Sequence, residues 1–348
     1  MVVGLRSQGT GVALSTLAFD WVYVALVFLL TGGIYLDGWS HATFGPDQSV
    51  LSEYHLLFYS SLLALGLWLL GAIVTHRRQG LSGLAALPRG YRLSALGLVI
   101  FGVTGVIDLV GHALFGFEAD LEALYSPSHI GLFVGWALIS LGPVRAALQR
   151  RAQGTPFTLG SFLPALLAWS FFFNVLAFVS MEFMATGEAW MLTENRLDND
   201  YLGQVLGIMG IIVQTALTAG SLAWLMLKFK LPRGSLTLFY ALFGLFASVD
   251  TLSLELLWLS LAVGLSCELL YALIKPNPDS ALGFHAFHVL SALSFWGLFY
   301  AFVFTTNYGG GIWYTPYIWT GSIVQGAVTA LLISLLATAA LPSATRTA

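Results

Sequence analysis

The chain has 348 residues, of which 57% are hydrophobic and 9% are charged. A soluble domain carries about 25% charged residues, so this composition excludes a water-soluble globular protein and indicates that lipid contacts most of the surface. The net charge is −3, and no run of basic residues is long enough to bind a polyanion, which excludes nucleic acid as a partner. The single cysteine, Cys267, excludes both a disulfide framework and a thiolate-rich metal site.

Ten apolar stretches follow one another along the chain, each close to the 20 or so residues that a helix needs to cross a hydrocarbon layer of roughly 30 Å. They lie near 13–36, 54–75, 92–114, 129–149, 157–183, 202–229, 235–251, 254–274, 284–306 and 317–341. Only the polar segment 248–251 divides the seventh stretch from the eighth, so one long helix there is an open alternative. The sequence predicts an all-α, polytopic membrane protein of about ten transmembrane helices.

The basic residues fall almost entirely in alternate connections between these stretches. They are Arg77, Arg78, Arg89, Arg92, Arg150, Arg151, Lys228, Lys230, Arg233 and Lys275, with Arg6 and Arg346 near the ends. Because such residues are retained on the cytoplasmic side during insertion, we predict a multi-pass protein of the cell membrane with both termini cytoplasmic. The other connections are acidic and are predicted to be extracytoplasmic.

One internal repeat stands out in the first half of the chain. Residues 37–45 are DGWSHATFG and residues 108–116 are DLVGHALFG, each at the end of an odd-numbered span. The loop after each copy ends in Ser-x-x-His, at Ser52–His55 and Ser126–His129. We interpret spans 1–2 and 3–4 as a tandem duplication of a helical hairpin. Residues 1–150 are thus predicted to form the duplicated unit and residues 151–348 a second helical bundle, within one membrane domain.

Each copy of the repeat offers three metal-ligating side chains. An aspartate and a histidine four residues apart lie on the same face of a helix, and the histidine of Ser-x-x-His opens the returning helix. The predicted ligands, on the extracytoplasmic face, are Asp37, His41, His55, Asp108, His112 and His129. Carboxylate and imidazole together suit copper, zinc or non-haem iron. Whether the copies make one site or two is open, and any one of these residues alone is equally typical of a structural role.

Other ionisable residues indicate a functional role less clearly. Carboxylates that could accept a hydrogen bond from the second ring nitrogen of a ligating histidine are Glu53, Glu118, Glu122 and Glu182. Asp20 and Glu268 fall within spans, where a charge is costly, and are predicted to be hydrogen-bonded or neutralised. His285 and His288 lie at the opposite end from the repeat, with no clear carboxylate partner, and are predicted to be interface or capping residues.

The second hairpin resembles a known family. Asp108, His112 and the segment Ser126-Pro127-Ser128-His129-Ile130, within residues 104–135, are similar to elements of the C subunit of the copper membrane monooxygenases, which oxidise methane, ammonia and short hydrocarbons. The resemblance implies copper-ligand roles for Asp108, His112 and His129. The loop between the histidines is longer here and the spans are more numerous. The chain as a whole is also similar to uncharacterised multi-spanning bacterial membrane proteins.

Together these features predict a membrane metalloprotein, with copper as its ion, that takes part in oxidation of a small or lipophilic substrate at the outer membrane face. An external electron donor and other membrane subunits are the expected partners besides the bilayer. Three alternatives stay open at this stage. They are a transporter or proton-coupled channel that uses the same Asp and His groups together with Asp20 and Glu268, a zinc-dependent lipid hydrolase, and a non-catalytic subunit of a membrane complex.

Overall fold

The computed structural model describes residues 7–8, 12–13, 15–45, 52–116, 122–154, 158–187, 200–306, 308 and 314–339. Within these ranges nine helical segments are long and apolar enough to cross a membrane, and one further apolar helix is shorter. The protein is therefore an all-α multi-pass membrane protein whose surface contacts the lipid bilayer, as predicted. The orientation of the termini and the origin of the repeat by duplication stay predictions.

The chain divides into two compact units, Met1–Val175 and Leu176–Ala348. In the first unit a two-residue antiparallel pair, β1 (Ser7–Gln8) with β2 (Val12–Ala13), precedes the helices. The helices are α1 (Leu17–Phe44), α2 (Glu53–Arg78), α3 (Arg92–Phe115), α4 (Glu122–Tyr125), α5 (Pro127–Ser140), α6 (Gly142–Ala152) and α7 (Leu159–Val179), with a 3₁₀ turn at Gly83–Ala86. Helices α5 and α6 together form the fourth span.

The second unit continues with a 3₁₀ turn at Met181–Phe183. Its helices are α8 (Asp200–Lys228), α9 (Ser235–Thr251), α10 (Leu254–Ile274), α11 (Ala281–Thr306) and α12 (Pro316–Ala339). The break between α9 and α10 lies at Leu252, whose φ of +49° is left-handed backbone that does not continue a helix. The alternative of a single long helix over this stretch is therefore wrong. Helix α9, with 17 residues, is the shorter apolar helix that accompanies the nine longer ones.

Small residues allow the helices of each hairpin to approach closely. A Cβ on Gly33 of α1 would lie 2.9 Å from the Cβ of Phe58 on α2. Gly131 and Gly135 of α5, four residues apart, pack against Thr104 and Phe101 of α3 in the same way. Glycines at this spacing commonly bring membrane helices together. These glycine contacts place the end of α1 beside the beginning of α2, and the end of α3 beside the beginning of α5. The predicted ligands lie at these helix ends.

The two hairpins also pack on each other within the first unit. Phe58 of α2 lies against Phe101 of α3, with ring centroids 6.3 Å apart. Trp136 of α5 donates a hydrogen bond from Nε1 to Thr31 Oγ1 of α1 over 3.2 Å. Helix α2 runs back from the first copy of the repeat and α3 returns to the second copy, so both copies lie at the same end of the unit, which we call the hairpin end.

A proline breaks the fourth span and leaves a carbonyl for other elements to bond. Pro143 has no N–H, so the carbonyl of Ile139, four residues earlier, has no donor from that position. Two side chains replace the missing donor, since Tyr23 Oη and Ser94 Oγ each donate to Ile139 O over 3.2 Å. These bonds tie α1 and α3 to the break in the span.

The opposite end of the first unit contains a buried ion pair. Asp20 is completely buried, and its Oδ2 lies 2.5 Å from the guanidinium of Arg150 on α6. Tyr91 donates to the other carboxylate oxygen over 2.6 Å. Burial and the nearby Asp20 carboxylate raise the pKa of Tyr91 well above its ordinary value, so the phenol remains a donor. The geometry agrees with the hydrogen-bonded state predicted for Asp20.

Glu268 has a similar structural role in the second unit. It lies on α10 and accepts two backbone hydrogen bonds at the beginning of α9, from Gly234 N over 2.8 Å and from Leu236 N over 3.1 Å. The first N–H groups of a helix have no partner inside it, and a carboxylate there is also favoured by the helix dipole. Glu268 therefore caps the short helix, and it too is hydrogen-bonded, as predicted.

Candidate metal centre

The same local structure appears at the hairpin end of both hairpins. Helices α1 and α3 end at Gly45 and Gly116, whose φ values are +83° and +89° and whose N–H groups donate to His41 O and His112 O. Only glycine adopts this combination of positive φ with extended ψ easily. The helix therefore ends one turn after the histidine in each copy, so each histidine lies at the end of its helix.

The returning helices also begin alike. Ser52 and Ser126 are the N-cap residues of α2 and α5, and their hydroxyls accept hydrogen bonds from the backbone N–H of His55 and His129 over 3.1 and 3.3 Å. A serine cap whose oxygen accepts the N–H three residues later is the usual way to begin a helix. The cap fixes each histidine in the first turn, facing the end of the preceding helix.

In the first hairpin this arrangement brings three ligands together. One ligand atom from each of Asp37, His41 and His55 lies within 4.8 Å of the other two. His55 Nε2 is 3.5 Å from Asp37 Oδ1, and the rings of His41 and His55 are nearly perpendicular with centroids 5.9 Å apart. The side chains of His55 and Asp37 are 13% and 15% exposed, which leaves the group half-buried and reachable from the hairpin end.

The second hairpin brings the same residue types together more loosely. His112 Nε2 is 3.0 Å from Asp108 Oδ2, and His129 Nδ1 is 3.5 Å from Asp108 Oδ1. The two histidine rings have centroids 6.4 Å apart. Among the residues that the structure describes, only the first set meets the 4.8 Å spacing. The aspartate of the second hairpin instead bridges the two histidines, one on each carboxylate oxygen.

A serine contact that the sequence analysis did not assign distinguishes the two hairpins further. Ser52 Oγ lies 3.0 Å from His55 Nδ1, on the opposite side of the ring from Asp37. In the second hairpin, Ser126 Oγ lies 2.6 Å from His129 Nδ1, the same nitrogen that faces Asp108. Because Ser52 contacts Nδ1, the other ring nitrogen of His55, Nε2, is the one that faces Asp37 and is positioned to ligate a metal.

The spacing of the first set fits a single ion. Zinc binds imidazole and carboxylate at about 2.1 Å in a tetrahedral arrangement, so its ligand atoms lie about 3.4 Å apart. The ligand atoms of Asp37, His41 and His55 all lie within 4.8 Å of one another, so shifts of about an ångström would bring them to that spacing. Two neutral nitrogens and one anionic oxygen are also a ligand set that zinc, copper(II) and iron accept.

The supporting role predicted for the four glutamates stays a prediction. Glu53 is exposed in the first turn of α2, and Ser52 lies at His55 Nδ1. Glu118 lies outside the described residues, and Glu122 begins the short helix α4. Glu182 belongs to the 3₁₀ turn of the second unit. The sequence feature that could have identified this contact is the position of Ser52 three residues before His55.

His285 and His288 make structural contacts in the second unit. His285 Nδ1 lies 2.9 Å from Ser334 Oγ on α12, and His288 Nδ1 lies 2.8 Å from the carbonyl of Phe284 one turn earlier. These contacts agree with the interface role predicted for the pair.

Comparison of the chain with family models, curated proteins and solved structures found no match.

Proposed function

We propose that the protein binds a transition-metal ion through Asp37, His41 and His55 at the hairpin end of its first unit. The observation that carries this proposal is the convergence of one ligand atom from each residue to within 4.8 Å. Two of the three come from one helix face and the third from the first turn of the next helix, so the glycine contact between α1 and α2 holds the group together.

We further propose that the ion is copper and that the protein takes part in oxidation of a small or lipophilic substrate. The ligand types alone suit zinc and iron equally. The resemblance of Asp108, His112 and His129 to copper ligands of the membrane monooxygenases supports copper, and the first hairpin repeats those residue types with the same Asp-x-x-x-His spacing. Copper in such a site supplies one-electron redox chemistry, and its electrons would come from an external donor.

The side chains at the site have different roles. The Asp37 carboxylate would offset part of the charge of the ion, and His41 and His55 would supply its nitrogen ligands. Ser52 contacts Nδ1 of His55 and so orients the ring with Nε2 toward the site.

The alternative of a proton or solute path has less support. It relied on Asp20 and Glu268 as titrating groups inside spans. Asp20 is held by Arg150 and Tyr91, and Glu268 caps α9, so both carboxylates have structural partners. The alternative of a zinc-dependent lipid hydrolase uses the same three ligands. It differs from the copper proposal in the ion that the protein binds.

The test is metal binding by the purified full-length protein in detergent, using copper(II) and zinc(II) separately. We expect copper(II) to bind at a defined stoichiometry and to give an electron paramagnetic resonance signal coupled to two imidazole nitrogens. His55→Ala should abolish that signal or weaken binding by at least about tenfold, because loss even of a residue that supports a ligand costs about 10–100-fold in metal affinity. His285→Ala, which removes a histidine of the second unit, is the control and should leave the signal intact, and His129→Ala tests the second hairpin separately.

Each other outcome changes the conclusion. Tight zinc binding with no specific copper signal would indicate that the protein uses zinc and not copper. Loss of the signal in His129→Ala but not in His55→Ala would place the centre in the second hairpin. Absence of stoichiometric binding of either ion would overturn the proposal.

A further inference from the structure

A small cleft lies among the helices of the second unit, away from its ends. Its polar lining consists of Thr215 and Thr218 of α8, Tyr240 of α9, His288 and Ser291 of α11, with Trp296 one turn further along α11. The cleft exists because three alanines, Ala219, Ala292 and Ala330, meet where α8, α11 and α12 pack together. The space that they leave is sufficient for about one water molecule.

His288 directs a hydrogen-bond acceptor into this cleft. The side chain is 2% exposed. Its Nδ1 lies 2.8 Å from the carbonyl of Phe284, which only accepts, so Nδ1 carries the hydrogen and Nε2 carries a lone pair. Nε2 is buried and has no hydrogen-bond partner in the part of the chain that the structure describes. A buried acceptor of this kind is rarely left unpaired, above all within hydrocarbon.

Hydroxyl groups surround the same space. Ser291 lies one turn after His288 on α11, and the Cys267 thiol lies beside it. Thr218 Oγ1 uses its hydrogen in a bond to Gln214 O over 2.8 Å, so its oxygen still accepts. Thr215 Oγ1 accepts a bond from Trp296 Nε1 over 2.8 Å. The cleft therefore offers several acceptors around one position, and none of the residues lining it is a carboxylate.

We propose that this cleft is a binding site for a single water molecule inside the membrane-spanning part of the second unit. The water donates one hydrogen to His288 Nε2 and the other to a hydroxyl oxygen, Ser291 or Thr218. A water suits the site because it supplies two donors in the available space. A metal ion does not suit it, because one neutral imidazole and hydroxyls provide no charge to balance a cation.

Radiolytic labelling of the intact protein tests this site, because hydroxyl radicals formed from a bound water modify the side chains beside it. Trp296 and Trp136 form a matched pair of reporters. Each is at most 1% exposed, and each donates from Nε1 to a threonine hydroxyl, but only Trp296 lines the cleft. In H₂¹⁸O we expect Trp296 to take up label severalfold faster than Trp136. Equal rates would overturn the proposal.

Variants at His288 then test whether its ring anchors the water. His288→Leu removes the acceptor and should lower the labelling of Trp296 to the rate of Trp136, whereas His288→Gln keeps an acceptor and should retain most of it. His285→Leu, one turn away and outside the cleft lining, should leave the labelling unchanged. Unchanged labelling in His288→Leu would exclude His288 as the anchor. The comparison of the two tryptophans in the unaltered protein decides the main question even where a variant fails to fold.

Discussion

Ser52 contacts His55 twice, once through the backbone N–H and once at the ring nitrogen Nδ1. The first contact begins α2, and the second orients the ring so that Nε2 faces Asp37. One hydroxyl thus fixes both the backbone position and the ring orientation of a candidate ligand. Ser126 makes the same backbone contact in the second hairpin, but there the ring nitrogen it touches is also the one nearest to Asp108.

This difference gives a prediction for two serine variants. Ser52→Ala and Ser126→Ala each remove an N-cap, and each should lower the free energy of unfolding by about 1 kcal/mol. Only Ser52→Ala should also weaken metal binding at the first hairpin, by about tenfold, because the outer hydrogen bond of a ligating histidine is lost. Titration of each variant with copper(II) and thermal unfolding in the same detergent measure the two effects. Equal losses of metal affinity in both variants would contradict the role given to Ser52.

Residue spacing alone was sufficient to place Asp37 beside His41, because four residues is one helical turn. The approach of His55 followed from its position at the start of the returning helix. The partners of Asp20 could not be predicted, since Tyr91 and Arg150 come from distant parts of the chain and meet it only after α3 and α6 pack. The compactness of the first set relative to the second depends on differences of an ångström or two, which no pattern of residue types encodes.

At the level of helices, α6 is attached to the rest of the first unit by the ion pair between Arg150 and Asp20. Pro143 separates α6 from α5, so the backbone alone does not fix its direction. Arg150 also donates to Ser15 Oγ over 3.1 Å, just before α1 begins. The pair therefore joins the end of the fourth span to the beginning of the first.

Removing one partner of this buried pair should be more harmful than removing both charges. Arg150→Leu leaves the Asp20 carboxylate buried without its counter-ion and should cost about 3–5 kcal/mol of stability. Adding Asp20→Asn to that variant should restore part of the loss, because the amide is neutral and still accepts from Tyr91. Arg151→Leu, at the exposed neighbouring position, is the control and should cost less than about 1 kcal/mol. Additive losses in the double variant, measured by thermal unfolding, would show that the two charges are not coupled.

At the level of the whole molecule, the sorting of basic residues predicts which face of the membrane carries the candidate metal centre. Helix α2 offers a direct measurement, since Glu53 at its hairpin end and Gln79 just beyond its other end are both exposed. The native Cys267 is buried and provides little background for thiol labelling.

We expect an impermeant maleimide to label Glu53→Cys in intact cells and to label Gln79→Cys only after the cells are opened. This pattern would place the Asp37, His41 and His55 group on the extracytoplasmic face, because basic residues near Gln79 are retained inside during insertion. The reverse pattern would invert the orientation and place the group in contact with the cytoplasm. Labelling of both cysteines in intact cells would mean that α2 does not cross the membrane.

The shortness of α9 has a consequence for the surrounding lipid. Its 17 residues extend only about 25 Å at 1.5 Å per residue, which is less than the roughly 30 Å thickness of an average hydrocarbon layer. Glu268 accepts two of the N–H groups at one end of this helix, so that end needs less water for its backbone. Beside α9 the bilayer is therefore expected to thin, and membranes of shorter acyl chains should suit this side of the second unit best.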